Sequence, residues 1–120
     1  MAASWILQGL LAAAFLGAGS MKLIKTREEL LARGRSMAWV EDFSPHQVRV
    51  IGTVEVLGAV GLILPSLTGI LPLLTPVAAG GLLLTMLGAV GTHLRRGEYS
   101  VVAPGLVLGA MAIGVIILRT

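Results

Sequence analysis

The chain has no cysteine, which excludes disulfides, thiolate metal sites and any CxxC redox chemistry carried by the chain itself. Charge is scarce too: Asp, Glu, Lys and Arg make up 12% of the 120 residues, against 56% hydrophobic ones, and mean hydropathy is +0.93. These values lie far outside those of soluble domains, so an integral membrane protein is expected, one transmembrane domain over residues 1–120. Acids number six against nine bases, which gives a formal charge of +3 and a pI near 10.2. The bases cluster beside apolar runs, as membrane orientation requires, and no nucleic-acid partner is expected. No haem, metal or nucleotide motif is present; two widely separated histidines, His46 and His93, with one mid-membrane acid do not make a metal site. The run MAASWILQGLLAAAFLGAG lacks a positively charged start and is too long for a signal peptide, so it reads as a retained first span.

What is present is organised around Arg49 to Pro65, RVIGTVEVLGAVGLILP, an apolar helix pattern with one carboxylate, Glu55, in its middle. A lone acid at that depth is expensive unless something pairs with it, and such residues mark a bundle interior, a cavity or a proton path. Helical spacing puts Val48, Ile51, Gly52, Glu55, Gly58, Ala59 and Leu62 on one face. Glycines on that face let another backbone approach, so the face is expected to meet neighbouring helices rather than lipid. Two uses of Glu55 stay open: ligand or proton handling, and hydrogen bonding that only cements the bundle.

The expected fold is an all-α four-helix transmembrane bundle, with spans at about residues 4–23, 45–64, 71–92 and 101–118 and a short interfacial helix between the first two. Gly9, Ala13 and Gly17 give the first span a stripe of small residues for close packing. Lys22, at its end, can snorkel toward headgroups or turn inward to a buried acid, and snorkelling is the more usual use. In the first connection, Thr26 and Glu29 form a capping-box signature, and Gly34 is expected to stop the short helix after Arg33. Trp39 reads as an anchor in the headgroup layer. Ser44, Pro45 and Gln47 start the second span, which leaves His46 at the rim and puts Glu55 roughly 15 Å further along the helix, near mid-depth. Arg49 is too shallow to pair with it. The stretch Pro65 to Gly69 is expected to close the second span with a turn. The third span ends at His93, with Met86, Ala89 and Val90 on the same face, and Gly97 follows as a helix stop. A histidine at a helix C-terminus often only satisfies carbonyls and the dipole. Gly105 and Gly109 give the last span a GxxxG pair, and Arg119 ends it.

Orientation follows from counting. Lys22, Lys25, Arg27, Arg33, Arg35, Arg49, Arg95 and Arg96 are eight of the nine bases, all at the end holding the first and third connections, with Arg119 alone opposite. That end is expected to face the cytoplasm, which makes the chain a multi-pass cell-membrane protein with both termini on the non-cytoplasmic side.

Gly19 to Leu23 (GSMKL), Ile51 to Leu62 (IGTVEVLGAVGL) ending at Pro65, and Met86 to Ala89 (MLGA) followed by His93, Arg96, Gly97 and Glu98 together resemble the DoxX-like family of small four-span membrane proteins. The resemblance covers nearly the whole chain and implies a four-helix bundle. Members of that family are linked to a membrane subunit of thiosulfate:quinone oxidoreduction and to other redox complexes, and a distant animal relative assists receptor assembly. The related vitamin K epoxide reductase architecture works through cysteines, so its thiol chemistry does not transfer to this chain. Fold resemblance says less about function than about fold.

Three functions are compatible with these residues. The first is a membrane subunit or accessory protein of a redox system that binds an apolar ligand, with quinone the cofactor candidate. The second is a non-catalytic assembly or scaffold protein with a membrane-protein partner or a second copy of itself. The third is an acid–base enzyme, of isomerase type, acting on a lipid-soluble substrate. The first is preferred, so the chain is read as a binding protein more than as an enzyme by itself. Glu55 and His93 are the catalytic candidates; Glu55, His93, Lys22 and Met86 are the ligand-binding candidates. Beyond any protein partner, the lipid bilayer is its surrounding. A transporter is disfavoured, because no broken helix or inverted repeat is legible.

Overall fold

Apolar periodicity becomes helix throughout the computed structural model, which describes residues 2–119. The elements are α1 (Ala2–Ile24), α2 (Arg27–Leu31), a 3₁₀ segment (Arg35–Asp42), α3 (Pro45–Thr68), α4 (Leu74–Arg95), a 3₁₀ turn (Tyr99–Val101) and α5 (Ala103–Arg119). Four of the helices are long and apolar enough to cross a membrane. α3, with 24 residues, exceeds the length needed for a hydrocarbon core of about 30 Å. The chain is an all-α multi-pass membrane protein. Neighbours pack in a ring, α1 on α3, α3 on α4, α4 on α5 and α5 back on α1, so successive spans run antiparallel. Inside lie Leu11, Phe15, Leu62, Leu82, Ala112 and Val115, whereas Ile6, Leu57, Leu84 and Ile117 point outward, where lipid is their solvent.

Which face of α1 packs differs from the sequence expectation. Gly9, Ala13 and Gly17 are exposed, and a Cβ added at either glycine would meet nothing within 4 Å. The buried line is Ser4, Gln8, Leu11, Phe15, Gly19 and Lys22. A small-residue stripe permits close approach but does not compel it; here larger side chains and a buried cation settle the facing side. Close approach is instead made at Gly19 and Gly52, where an added Cβ on one would lie 2.7 or 2.8 Å from the other's carbonyl oxygen. On α5, Gly105 and Gly109 face Val90 and Met86 of α4, so that pair serves packing within the chain.

The turn expected at Pro65 is not there. α3 runs through Pro65 to Thr68 and ends at Gly69, whose φ of +74° closes it. Proline has no N–H, so the carbonyl of Gly61 loses its usual partner four residues on. Thr75 of α4 supplies the substitute: its hydroxyl donates to Gly61 O at 3.2 Å. A directional chain of hydrogen bonds follows outward from there. Ser66 Oγ lies 2.7 Å from Thr75 Oγ1, the Gln8 amide donates to Ser66 Oγ at 3.3 Å and to the Leu62 carbonyl, and Arg119 Nε donates to Gln8 Oε1 at 2.7 Å. The break that would disfavour a helix in lipid is thus satisfied by Thr75, and Gln8 and Arg119 extend the hydrogen-bond chain to α1 and α5.

The first connection folds onto the end of the bundle. Thr26 and Glu29 form their reciprocal cap, as do Ser44 and Gln47. α2 stops at Leu31, earlier than expected, and Gly34, at φ +103°, is the cap that precedes the 3₁₀ segment. Leu30, Val40 and Val48 form a small core of their own, with Met37, Trp39 and Phe43 packed against it. Arg35, counted among the bases of this connection, has its side chain outside the described residues.

Candidate functional site

On α3, Val50, Val54, Gly58 and Gly61 share one side, at spacings of three or four residues. Gly58 and Gly61 press on Leu82 and Ala78 of α4, so tightly that an added Cβ would lie 2.6 and 2.8 Å from them. Val50 and Val54 have no such partner and are 49% and 44% exposed. α3 and α4 therefore diverge toward the basic end, and the gap is a cavity of about 660 Å³. That size falls in the range of ligand pockets of roughly 300–1,000 Å³. Phe15, Met86 and Leu108 lie at its inner end, and Met37, Trp39 and Phe43 of the first connection cover it. The Trp39 and Phe43 rings meet edge to face, 5.3 Å apart. Trp39, expected as a headgroup anchor, instead turns inward to the cavity.

Besides the hydroxyls of Thr85, Thr92 and Ser100, an ion pair and a histidine interrupt the apolar wall. Lys22 Nζ lies 2.6 Å from Glu55 Oε1, with the two side chains only 7% and 2% exposed. Lys22 does not snorkel: with Gly19 and Gly52 closely approached, the stem of Lys22 starts beside α3, and withdrawing the ammonium to the headgroups would strand Glu55 unpaired in the interior. Its ammonium also stands 5.8 Å from the Trp39 ring centre, within cation–π range. Across the cavity, His93 Nδ1 is 2.9 Å from Glu98 Oε1. That contact orients the ring and leaves Nε2 without a partner among the described residues.

Behind His93, Arg96 ties the covering segment in place. Its guanidinium bonds Asp42 at 2.8 Å, Glu98 at 2.9 Å and Glu41 at 3.0 Å. Hydrogen bonds to Asp42 and Glu98, with Glu41 adding to them, raise Arg96 above its already high ordinary value. Burial pushes the Glu98 carboxyl up, but hydrogen bonds from His93 and Arg96 outweigh it and hold the group below the ordinary 4.5.

Lys22, Glu55, Met86 and His93, the four candidates read from the sequence, all line this cavity. His46 is exposed and Arg49 stays apart from Glu55. Sequence reading missed the cover and its clamp, Met37, Phe43, Glu98 and Arg96. Of these, only Glu98 carried a local signal, five residues after His93 and just past the stop at Gly97 (φ +73°).

Chemically, the arrangement offers an apolar volume, an ammonium–carboxylate pair on the α1–α3 wall and one imidazole nitrogen on α4. The family model described as DoxX-like family matches residues 6–115. No curated protein and no solved structure matches the chain.

Proposed function

Since this four-span chain belongs to the DoxX-like family, we propose that its cavity binds a membrane-dissolved apolar molecule bearing a hydrogen-bonding group, and that a quinone headgroup fits that description. The observation that carries the reading is the position of Lys22, Glu55 and His93 in one mainly apolar cavity of about 660 Å³. Lys22 offers a donor to a ligand carbonyl, and His93, whose Nδ1–H donates to Glu98, offers Nε2 from the other wall as an acceptor for a ligand hydroxyl. Glu55 balances the ammonium, and Met86 and Phe15 contact the ring. Glu55 and His93 are the groups able to exchange a proton with the bound molecule. The exposed valines mark where a ligand enters from the lipid, between α3 and α4. The chain then acts as a membrane subunit or accessory protein of a redox system, with a membrane partner supplying the electrons. Its basic end faces the cytoplasm and both termini face out.

The test uses Trp39 as reporter. In a Trp5→Phe background, a short-chain quinone should quench Trp39 fluorescence saturably, and a prenylated quinone should extract from protein purified in mild detergent. Absence of both saturable quenching and an extractable apolar ligand would sink this reading.

A scaffold function is the rival, and one observation favours it: the Lys22–Glu55 pair sits at the Gly19–Gly52 contact, where it also ties α1 to α3. Quinone binding by the wild type separates the two functions, and the Lys22→Met/Glu55→Leu double variant shows whether the pair acts in binding or only as a tie.

A further inference from the structure

A second, smaller hollow of about 20 Å³ opens at the basic end, between the end of α1, the start of α2 and the first turns of α3. Its lining includes four bases, Lys22, Lys25, Arg27 and Arg49, over a floor of Leu30 and Val48, and no carboxylate. All the acids but the exposed Glu28 are engaged: Glu55 holds Lys22, Arg96 takes Glu41, Asp42 and Glu98, and Glu29 caps Thr26 and makes a long, exposed ion pair with Lys25 at 4.0 Å. Arg27 spends one nitrogen on the Glu41 carbonyl, at 3.1 Å. The Arg49 side chain is exposed and has no partner among the described residues.

Arg27 and Arg49 have no carboxylate partner among the described residues and Lys25 has only the exposed Glu29 at 4.0 Å, so the convergence of the three positive side chains favours an anion joining them. Depth decides which anion. Lys25 directly follows α1 and Arg49 stands in the second turn of α3, so both lie where headgroups meet the hydrocarbon. Below Arg49 on the same face of α3 follow Thr53, Leu57 and Val60, with the last two 66% and 42% exposed, a surface along which acyl chains can run. We propose that Lys25, Arg27 and Arg49 form a site for the phosphate headgroup of an anionic phospholipid. Lys22, committed to Glu55, forms its inner edge. Lys22 lines both hollows, whereas Lys25, Arg27 and Arg49 line only this one.

Native mass spectrometry of the detergent-purified chain, titrated with phosphatidylglycerol or phosphatidylcholine, tests the site. Phosphatidylglycerol should bind saturably with one preferred equivalent, and phosphatidylcholine should not. A base near an anionic membrane surface contributes about fivefold in affinity, so Arg49→Gln should weaken phosphatidylglycerol about that much and Arg27→Gln/Arg49→Gln on the order of 25-fold. Arg49→Lys should retain binding. Arg33→Gln/Arg95→Gln, which removes as much charge from outside the hollow, should change little. Equal losses in the two double variants would overturn the proposal in favour of diffuse attraction. Inorganic phosphate that displaces the lipid at matched concentration would overturn the lipid assignment. Folding is not at issue for the key variant, because Arg49 is exposed and its side chain has no partner among the described residues.

Discussion

Lys22 and Glu55, 33 residues apart in sequence, meet at 2.6 Å inside the bundle, one step from the point where Gly19 and Gly52 bring the α1 and α3 backbones together. Glycine contact and ion pair depend on each other. Without close backbones the lysine could not reach the acid, and without the acid its ammonium would have no reason to stay in the apolar interior.

Breaking the pair from one side strands a charge. Lys22→Met or Glu55→Leu alone should therefore lower stability by about 3–5 kcal/mol, while the double variant should recover most of the loss. Glu55→Gln should fall between, because the amide still accepts from the ammonium but carries no charge. Thermal unfolding in detergent measures the cycle, and quinone quenching of Trp39 in the same samples measures function. A stable double variant that still binds quinone like wild type would make the pair a purely structural tie with no part in binding, whereas a stable wild type that binds none would favour the scaffold function.

Gly52→Ala should destabilise by about 1–3 kcal/mol, since its Cβ would lie 2.8 Å from Gly19 O and backbone cannot step aside cheaply. Gly9→Ala and Gly17→Ala, with nothing within 4 Å, should be neutral or slightly stabilising. Equal costs at all three positions would contradict the packing described for α1.

Thr75→Val should cost about 1 kcal/mol, because it leaves the Gly61 carbonyl unpaired beside Pro65. In a Pro65→Ala background the restored N–H can take that carbonyl, so the same substitution should cost measurably less. An unchanged cost in the two backgrounds would separate the hydroxyl from the proline.

Acid should loosen the cover of the cavity through Glu98. Its folded value is depressed, so the stability it contributes is present above the ordinary 4.5 and is lost as pH falls through the lower folded value. Wild type should lose thermal stability relative to Glu98→Gln only below about pH 4.5. Parallel curves down to pH 3 would argue against a contribution from this carboxylate.

Because the chain has no cysteine, single thiols report orientation cleanly. Ala3→Cys, exposed near the N-terminus, should react with a membrane-impermeant maleimide added outside intact cells. His46→Cys, exposed at the basic end, should react only after permeabilisation. The reverse pattern would invert the assigned topology.

Much of this fold was written locally. Hydropathy marked four spans, the reciprocal caps at Thr26–Glu29 and Ser44–Gln47 are contacts three residues apart, and a mid-span acid had to face inward because lipid gives it no partner. These are short-range or periodic effects, and a sequence states them directly. Three features could not be read that way. Gly9, Ala13 and Gly17 had the composition of a packing face yet point outward, Lys22 turned inward against the usual habit of its residue type, and Pro65 stayed within a helix because Thr75 of another span covered the orphaned carbonyl. The cavity belongs with them, since it exists only because α3 and α4 touch at Gly58 and Gly61 and part at Val50 and Val54. In a membrane, lipid tails are as apolar as a protein interior, so hydropathy cannot say which side of a span meets another helix. Only the tertiary structure decides that, through the fit of specific side chains and the pairing of the few polar groups that lipid cannot satisfy.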